Sequence, residues 1–200
     1  MKKRILALLM ANCLIFALAA CGGAPTDSNG SPDDDSKPAG KSEQENVQLT
    51  EYTAPSGTFA VSMPEISGGW TQSEEGNEYH LVLDNSDKSF TLMLQALPLE
   101  QAQVTYPDLD ALIAFYNQNT LSSFGEPKAT EVTIGDPAIA GVTANTYTAE
   151  KNGMTAKAMV AFFQTEKAYY ICILTGSGEA FDTNIDSAQK ALTTFTEKGE

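Results

Sequence analysis

The sequence predicts an α+β domain, in which a mainly antiparallel sheet of about six or seven strands carries two packed helices. Short apolar runs broken by turn residues begin near residue 51, and two longer segments repeat apolar residues at helical spacing. The predicted order of elements is βββ-α-ββββ-α. Because most connections are short enough for hairpins, neighbouring strands are expected to run antiparallel.

Three strands open the predicted domain. Residues Phe59–Met63 alternate in polarity and stop at Pro64. Residues Tyr79–Leu83 and Phe90–Ala96 flank Asp84–Lys88, which favours a turn because Asp and Asn side chains bond their own backbone. Alternation in the third strand predicts one apolar face, made of Phe90, Leu92, Leu94 and Ala96.

A helix is predicted after these strands. Pro107 suits a first helical turn, and Thr105 with Asp108 resembles a capping box. Apolar residues then recur at i, i+3, i+4 and i+7, which are Leu109, Leu112, Ile113 and Tyr116. The helix is expected to end at Gly125 and Pro127.

Four strands and a second helix complete the prediction. Residues Ala129–Ile134 form the first strand, and Thr143–Glu150 with Thr155–Phe163 form a hairpin around an Asn-Gly turn. Residues Ala168–Leu174 are nearly all apolar, as expected for a central strand buried on both faces. The closing helix is predicted over Ala180–Lys198, where five apolar residues keep a 3.6-residue period.

The start of the chain resembles the export signal of a bacterial lipoprotein. A cationic segment at residues 2–4 precedes an apolar run that is short for a membrane span. The run ends in Leu18-Ala19-Ala20-Cys21, which looks like a lipobox. The resemblance implies that residues 1–20 are a signal peptide and that Cys21 becomes acylated. Two or more acyl chains at Cys21 would hold the protein stably on a membrane.

Residues 21–50 are predicted to be the lipidated cysteine followed by a disordered acidic tether, and residues 51–200 to be one domain. Gly, Pro, Ser and charged residues dominate the tether, and such a composition cannot repay the entropy of ordering. Loss of residues 1–20, which hold three basic and no acidic residues, changes the net charge from −14 to −17. The domain keeps 20 acidic and 7 basic residues.

This acidity makes nucleic acid an unsuitable partner, because phosphate binding needs basic side chains. The only arginine is Arg4, inside the predicted signal peptide. No cofactor motif is present, and one His with few Cys gives no His or Cys cluster for a metal.

A second resemblance covers about residues 58–198. Phe59–Pro64 followed by the Gly-Gly-Trp70 segment is similar to the opening of PsbP-like and DcrB-like domains. The strand entry at Gly141–Tyr147, the aromatic pair Tyr169-Tyr170 and a closing helix near Phe195 are similar as well. The resemblance implies an αβα sandwich that serves as an extracytoplasmic accessory or binding module.

Three candidate sites carry both a functional and a structural interpretation. Trp70, predicted in a loop, is either a binding aromatic or a cap on the sheet core. His80 is the obvious general base for a hydrolase, but its strand has no nucleophile motif, and alternation is expected to leave it facing solvent. Asp84–Asp87 resembles the start of a calcium loop, although Ser89 and Gln95 replace the required Gly and Glu, so a hairpin turn is favoured.

The leading hypothesis is a non-enzymatic, lipid-anchored interaction module on the outer face of a bacterial membrane. Its membrane contact would be the lipid at Cys21, and its expected partners are envelope proteins. Two alternatives remain open at this point. One is a small-ligand binder with a pocket between sheet and helices, and the other is a hydrolase with an unrecognised site.

Overall fold

The computed structural model describes residues 48–65, 69–74, 77–122, 124–135, 139–151 and 153–199. The predicted signal peptide, Cys21 and nearly all of the predicted tether lie outside these residues.

A seven-stranded antiparallel sheet forms the centre of the domain, with the strand order β3-β4-β5-β9-β8-β7-β6. The strands are β3 (Trp70–Gln72), β4 (His80–Asn85), β5 (Phe90–Pro98), β6 (Lys128–Ala129), β7 (Ala140–Lys151), β8 (Met154–Gln164) and β9 (Ala168–Ser177). β9 lies in the middle and is buried along most of its length. The predicted α+β class and antiparallel main sheet are therefore confirmed.

A separate three-stranded sheet packs beside it, in the order β1-β2-β10. Its strands are β1 (Leu49–Thr53), β2 (Phe59–Pro64) and β10 (Thr196–Glu197). Neither β1 nor β10 was predicted as a strand. β1 begins two residues before the predicted start of the domain at residue 51. Five residues of β1 pair with β2, which explains why this polar segment is ordered.

Three helices connect the strands: α1 (Leu99–Ala102), α2 (Leu109–Asn119) and α3 (Gly178–Leu192). The predicted capping box at Thr105 is wrong, because the Asp108 side chain itself caps α2 by accepting from the Ala111 N–H at 2.8 Å. The predicted end of the closing helix at Lys198 is also wrong. The helix ends at Leu192, and the Thr194 hydroxyl then hydrogen-bonds both the N–H and the carbonyl of Ser62 in β2. The residues after Thr194 therefore pair with β2 as β10.

The strand predicted over Ala129–Ile134 is reduced to the two residues of β6. The chain then leaves the sheet edge, and Val132 and Ile134 pack into the core on the α3 side. Gly135 donates to the Leu192 carbonyl at 3.1 Å, at the end of α3. A Cβ atom at Gly135 would overlap the Thr193 carbonyl oxygen, so this crossing needs glycine.

The domain has three layers with two apolar cores, because alternate side chains of the main sheet face opposite ways. One core lies between the main sheet and the layer formed by α3 and the small sheet. Its centre is aromatic, and the rings of Phe163 and Tyr170 stack with centroids 5.0 Å apart. The second core lies under α1 and α2 and contains Tyr147, Phe162 and Ile171.

Candidate functional site

The sheet face that carries α1 and α2 is covered unevenly. α2 packs over β7 and β8, where Tyr147, Val160 and Phe162 are at most 4% exposed. The ring of Tyr116 meets that of Phe162 edge-on, with centroids 5.7 Å apart. The Tyr147 hydroxyl donates to Asn117 Oδ1 at 3.4 Å. These contacts hold α2 on one side of the sheet face.

Three apolar side chains on the other side of this face remain partly exposed. Val82 pairs with Met93 across β4 and β5, and Met93 pairs with Ile173 across β5 and β9. The same row continues to Val160, which is fully buried under α2. We call Val82, Met93 and Ile173 the open strip. Three adjacent strands make it about 10 Å wide.

Polar residues border the open strip along one side. Asp84 follows Val82 by two positions on β4 and therefore faces the same way. The Thr91 hydroxyl, on the neighbouring strand, donates to Asp84 Oδ1 at 2.6 Å. Thr175 completes this row, and its hydroxyl donates to the Lys157 carbonyl at 3.2 Å. The open strip is thus an apolar surface with a fixed carboxylate at its rim.

A buried polar row borders the opposite side of the strip. His80 pairs with Gln95 across β4 and β5, and both side chains are at least 92% buried. The Tyr116 hydroxyl of α2 donates to Gln95 Oε1 at 3.4 Å. His80 Nδ1 accepts from the Asn77 backbone N–H at 3.4 Å. Among the described residues, His80 Nε2 has no partner in a hydrogen bond of ordinary geometry.

The structure therefore corrects the expectation that His80 faces solvent: only 4% of the residue is exposed. Burial lowers the pKa of the imidazole, and the Gln95 side chain acts in the opposite direction to a smaller extent. The neutral form accepts at Nδ1 and carries its proton on Nε2. Such a histidine is a neutral core residue whose Nε2–H lies beside Gln95 without a hydrogen bond of ordinary geometry to any described residue.

Trp70 is the first residue of β3 and pairs with Asn85, so its predicted loop position is wrong. The ring is 9% exposed and contacts Phe90 edge-on, with centroids 6.1 Å apart. The indole N–H donates to the Pro64 carbonyl at 3.0 Å. The structure places Trp70 in the core between the two sheets and does not bring it to the open strip.

The residues of the calcium-like segment use their oxygens within their own turn. Asn85 Oδ1 accepts from the Phe90 N–H at 3.0 Å, and Asp87 Oδ1 accepts from the Ser89 N–H at 2.9 Å. Lys88 has a φ of 56°, as a tight hairpin turn requires. Within the described ranges, no group of three His, Cys, Asp or Glu side chains is placed to hold a metal ion.

Cys172 lies in the centre of β9 and is fully buried. Burial raises the pKa of its thiol to about 12, so the unreactive thiol form dominates. In the part of the chain that the structure describes, no helix is long and apolar enough to cross a membrane.

Comparisons with known proteins define the fold but not a family. No protein-family profile and no curated protein matches the chain. A crystal structure from Bacteroides thetaiotaomicron is similar at a TM-score of 0.50 and 14% identity, covering 75% of this chain and 48% of that one. This chain therefore spans about half of that protein.

Two further solved structures are similar to this chain. The Saccharomyces cerevisiae Ran-binding protein Mog1p has a TM-score of 0.50 and 11% identity, with coverage of 76% of this chain and 96% of its own. The Synechocystis PsbP solution structure has a TM-score of 0.33 and 11% identity, covering 80% and 98%. At these identities the Bacteroides protein and Mog1p share the fold with this chain.

The sequence pattern did not identify the open strip as a site. The prediction assigned Phe90, Leu92, Leu94 and Ala96 to one face of β5 and left the other face without a role. That other face holds Met93, whose partial exposure depends on how far α2 reaches across the sheet. The local sequence pattern of a strand does not show how much of it a helix elsewhere in the chain will cover.

Proposed function

We propose that this protein is a lipid-anchored, non-enzymatic binding module of the bacterial cell envelope, and that the open strip is its contact surface. The observation that carries the proposal is the partial exposure of Val82, Met93 and Ile173 in one row, next to Val160 of the same row, which α2 buries completely. Apolar surface left open beside packed surface is typical of contact sites.

The anchoring part of the proposal is supported by the lipobox resemblance at Cys21. The strand that follows the predicted tether, β1, lies in the layer opposite the open strip. Attachment of the domain through β1 would therefore leave the face of the main sheet that carries the strip free for a partner.

The chemistry of the described residues favours binding over catalysis. His80 is the chain's only histidine, and it is buried with Nδ1 already accepting a backbone hydrogen bond. Cys172, the only cysteine in the described part, is buried with a raised pKa. Neither group is placed as a general base or a nucleophile.

Small-ligand binding is the second candidate function, and one observation favours it. His80 Nε2 lies buried one row from the open strip without a hydrogen bond of ordinary geometry among the described residues, so a small molecule that enters beside Gln95 with an oxygen acceptor would give this donor a partner. Thermal-shift screening tests this alternative, because a ligand raises the melting temperature by mass action.

Fractionation of cells tests the anchor. Cys21→Ser should move the protein out of the membrane fraction or block its processing. Cys13→Ser is the matched control, because Cys13 lies in the predicted signal peptide and its loss should not change membrane partition. Equal membrane partition together with equal processing of Cys21→Ser and the unaltered protein would contradict the anchor.

Affinity purification tests the contact surface. Met93→Gln should remove an envelope partner that co-purifies with the unaltered protein. Met154→Gln is the control, since Met154 is 41% exposed at the start of β8, beside the hairpin turn and away from the strip. Failure to recover any reproducible partner, or equal recovery with both variants, would count against the proposal.

A further inference from the structure

We infer that the partner of the open strip is a cationic amphipathic protein segment, in which Lys or Arg residues flank apolar side chains. The inference rests on the proposed function and adds the chemistry of the partner. The apolar side chains would pack on Met93, and a cationic group would pair with Asp84 at the rim.

The strands and helices of the layer around the strip carry only acidic charges, and the two turns that border them, which hold Asp87 with Lys88 and Glu166 with Lys167, add no net charge. The strip lies on β4, β5 and β9, and α1 and α2 complete this layer. Within these five elements and the cap of α2, every Asp, Glu, Lys or Arg residue is acidic: Asp84, Glu100, Asp108 and Asp110. A cationic partner would be attracted to this face and a like-charged one repelled.

The nearest lysine on the strands is directed to the other face. Lys157 of β8 pairs with Asp182 of α3, its Nζ lying 2.6 Å from Oδ2. This ion pair lies on the side of the sheet that carries α3. Lys157 is therefore not available to the rim, and in the described part of the chain Asp84 forms no ion pair.

Charge also decides between the occupants that an apolar strip could take. The predicted domain carries 20 acidic and 7 basic residues, so a second copy of the chain would bring like charge to the strip. An anionic bilayer surface would be repelled for the same reason. A cationic protein segment meets no such cost.

The side chains of the strip suit a segment of modest size. About 10 Å across the strands accommodates one or two large apolar side chains. Met93 lies at the centre between two β-branched residues, and its unbranched thioether can adapt to the side chain placed on it. Asp84 stands in the next row, roughly 7 Å along the strand, within reach of a Lys or Arg.

Binding of a model peptide tests the inference. The protein is the full chain carrying Cys21→Ser, and the probe is a 14-residue peptide of Leu and Lys in helical period. Matched probes replace every Lys by Glu or every Leu by Ser. The Leu–Lys peptide should bind and shift the Met93 methyl resonance, and both matched probes should bind far more weakly.

Substitutions locate the contact. Met93→Gln should weaken binding about tenfold by removing apolar contact. Asp84→Asn should weaken it roughly two- to fivefold and reduce its salt dependence. Asp186→Asn is the control, because Asp186 is exposed on α3 in the opposite layer. Equal effects of the two Asp substitutions, tight binding of the Leu–Glu peptide, or an unmoved Met93 resonance would overturn the inference.

The same variants also test the two other possible occupants of the strip, a second copy of the chain and an anionic membrane. Dimerisation of the free chain that Met93→Gln abolishes, or binding to anionic vesicles that depends on Met93, would also overturn it. Failure of this inference can be distinguished from failure of the proposed function. If the peptide does not bind but Met93→Gln still removes a co-purifying envelope protein, only the inference fails. If Met93→Gln changes neither peptide binding nor the recovery of envelope proteins, both fail.

Discussion

The Tyr170 hydroxyl donates a 2.8 Å hydrogen bond to Oε1 of Glu197. Tyr170 is in β9, at the centre of the main sheet, and Glu197 is in β10, the last strand of the small sheet. The Thr165 hydroxyl donates to the same oxygen at 2.8 Å. One carboxylate thus joins the two sheets through the final residues of the fold.

Glu197→Ala should destabilise the domain by about 1–3 kcal/mol, because it removes the charged acceptor that the buried hydroxyls of Tyr170 and Thr165 share. Urea denaturation measures the change. Glu166→Ala is matched in charge and lies exposed in the turn before β9, so it should change stability by less than about 0.5 kcal/mol. Equal midpoints for the two variants would contradict the role assigned to Glu197.

The stability of the domain should fall as the pH drops below about 6.5, because burial lowers the pKa of His80 from its ordinary 6.5. Between the folded and unfolded pKa values, the unfolded chain binds more protons, so stability rises with pH in this window. Above about 6.5 the contribution of His80 is constant.

Denaturation midpoints between pH 5 and 7 measure this dependence, and His80→Gln should flatten it. The carboxylates with lowered pKa act at lower pH. The Glu51 pKa is lowered by Lys198 and the Asp87 pKa by Ser89, and their stabilising effect begins to be lost only near their ordinary values of 4.5 and 3.8 and below. An unchanged slope in His80→Gln would show that another group is responsible.

Trp70, the only tryptophan in the chain, should be shielded from solvent. Its ring is 9% exposed and its indole N–H is bonded to Pro64, so acrylamide should quench its fluorescence weakly in the folded protein and strongly in urea. Strong quenching of the folded protein would instead support the binding-aromatic interpretation of Trp70.

Gly135→Ala should destabilise the domain by roughly 1–3 kcal/mol, because the added Cβ overlaps the Thr193 carbonyl oxygen, which belongs to rigid backbone. Gly199→Ala is the control, since a Cβ at Gly199 meets no atom within 4 Å. Thermal unfolding compares the two variants. Equal melting temperatures would mean that the backbone at Gly135 can move away from Thr193 without loss of stability.

Much of the fold could be predicted from local pattern. The strands around Phe59–Met63, Phe90–Ala96 and Ala168–Leu174 have alternating or continuous apolar residues, and the structure places strands at all three. Errors occurred where distant contacts decide the outcome. β10 is two residues long and exists because Thr194 and Glu197 meet β2 and β9.

The candidate site was less accessible to sequence reasoning for the same reason. Alternation shows that Val82 and Met93 face away from Leu81 and Leu92, but it does not show whether a helix covers them. His80 illustrates the opposite error. It was expected at the surface, but it is buried. Its cross-strand partner Gln95 is contacted by Tyr116 of α2, a residue that is distant in the sequence.

Site-specific photo-crosslinking in intact cells shows whether the open strip is the contact surface. A photoreactive amino acid replaces Met93 in one variant and the exposed Asp186 of α3 in the other. A discrete adduct between position 93 and an envelope protein is expected, and no such adduct from position 186. No adduct from position 93, or the same adducts from both positions, would contradict this expectation.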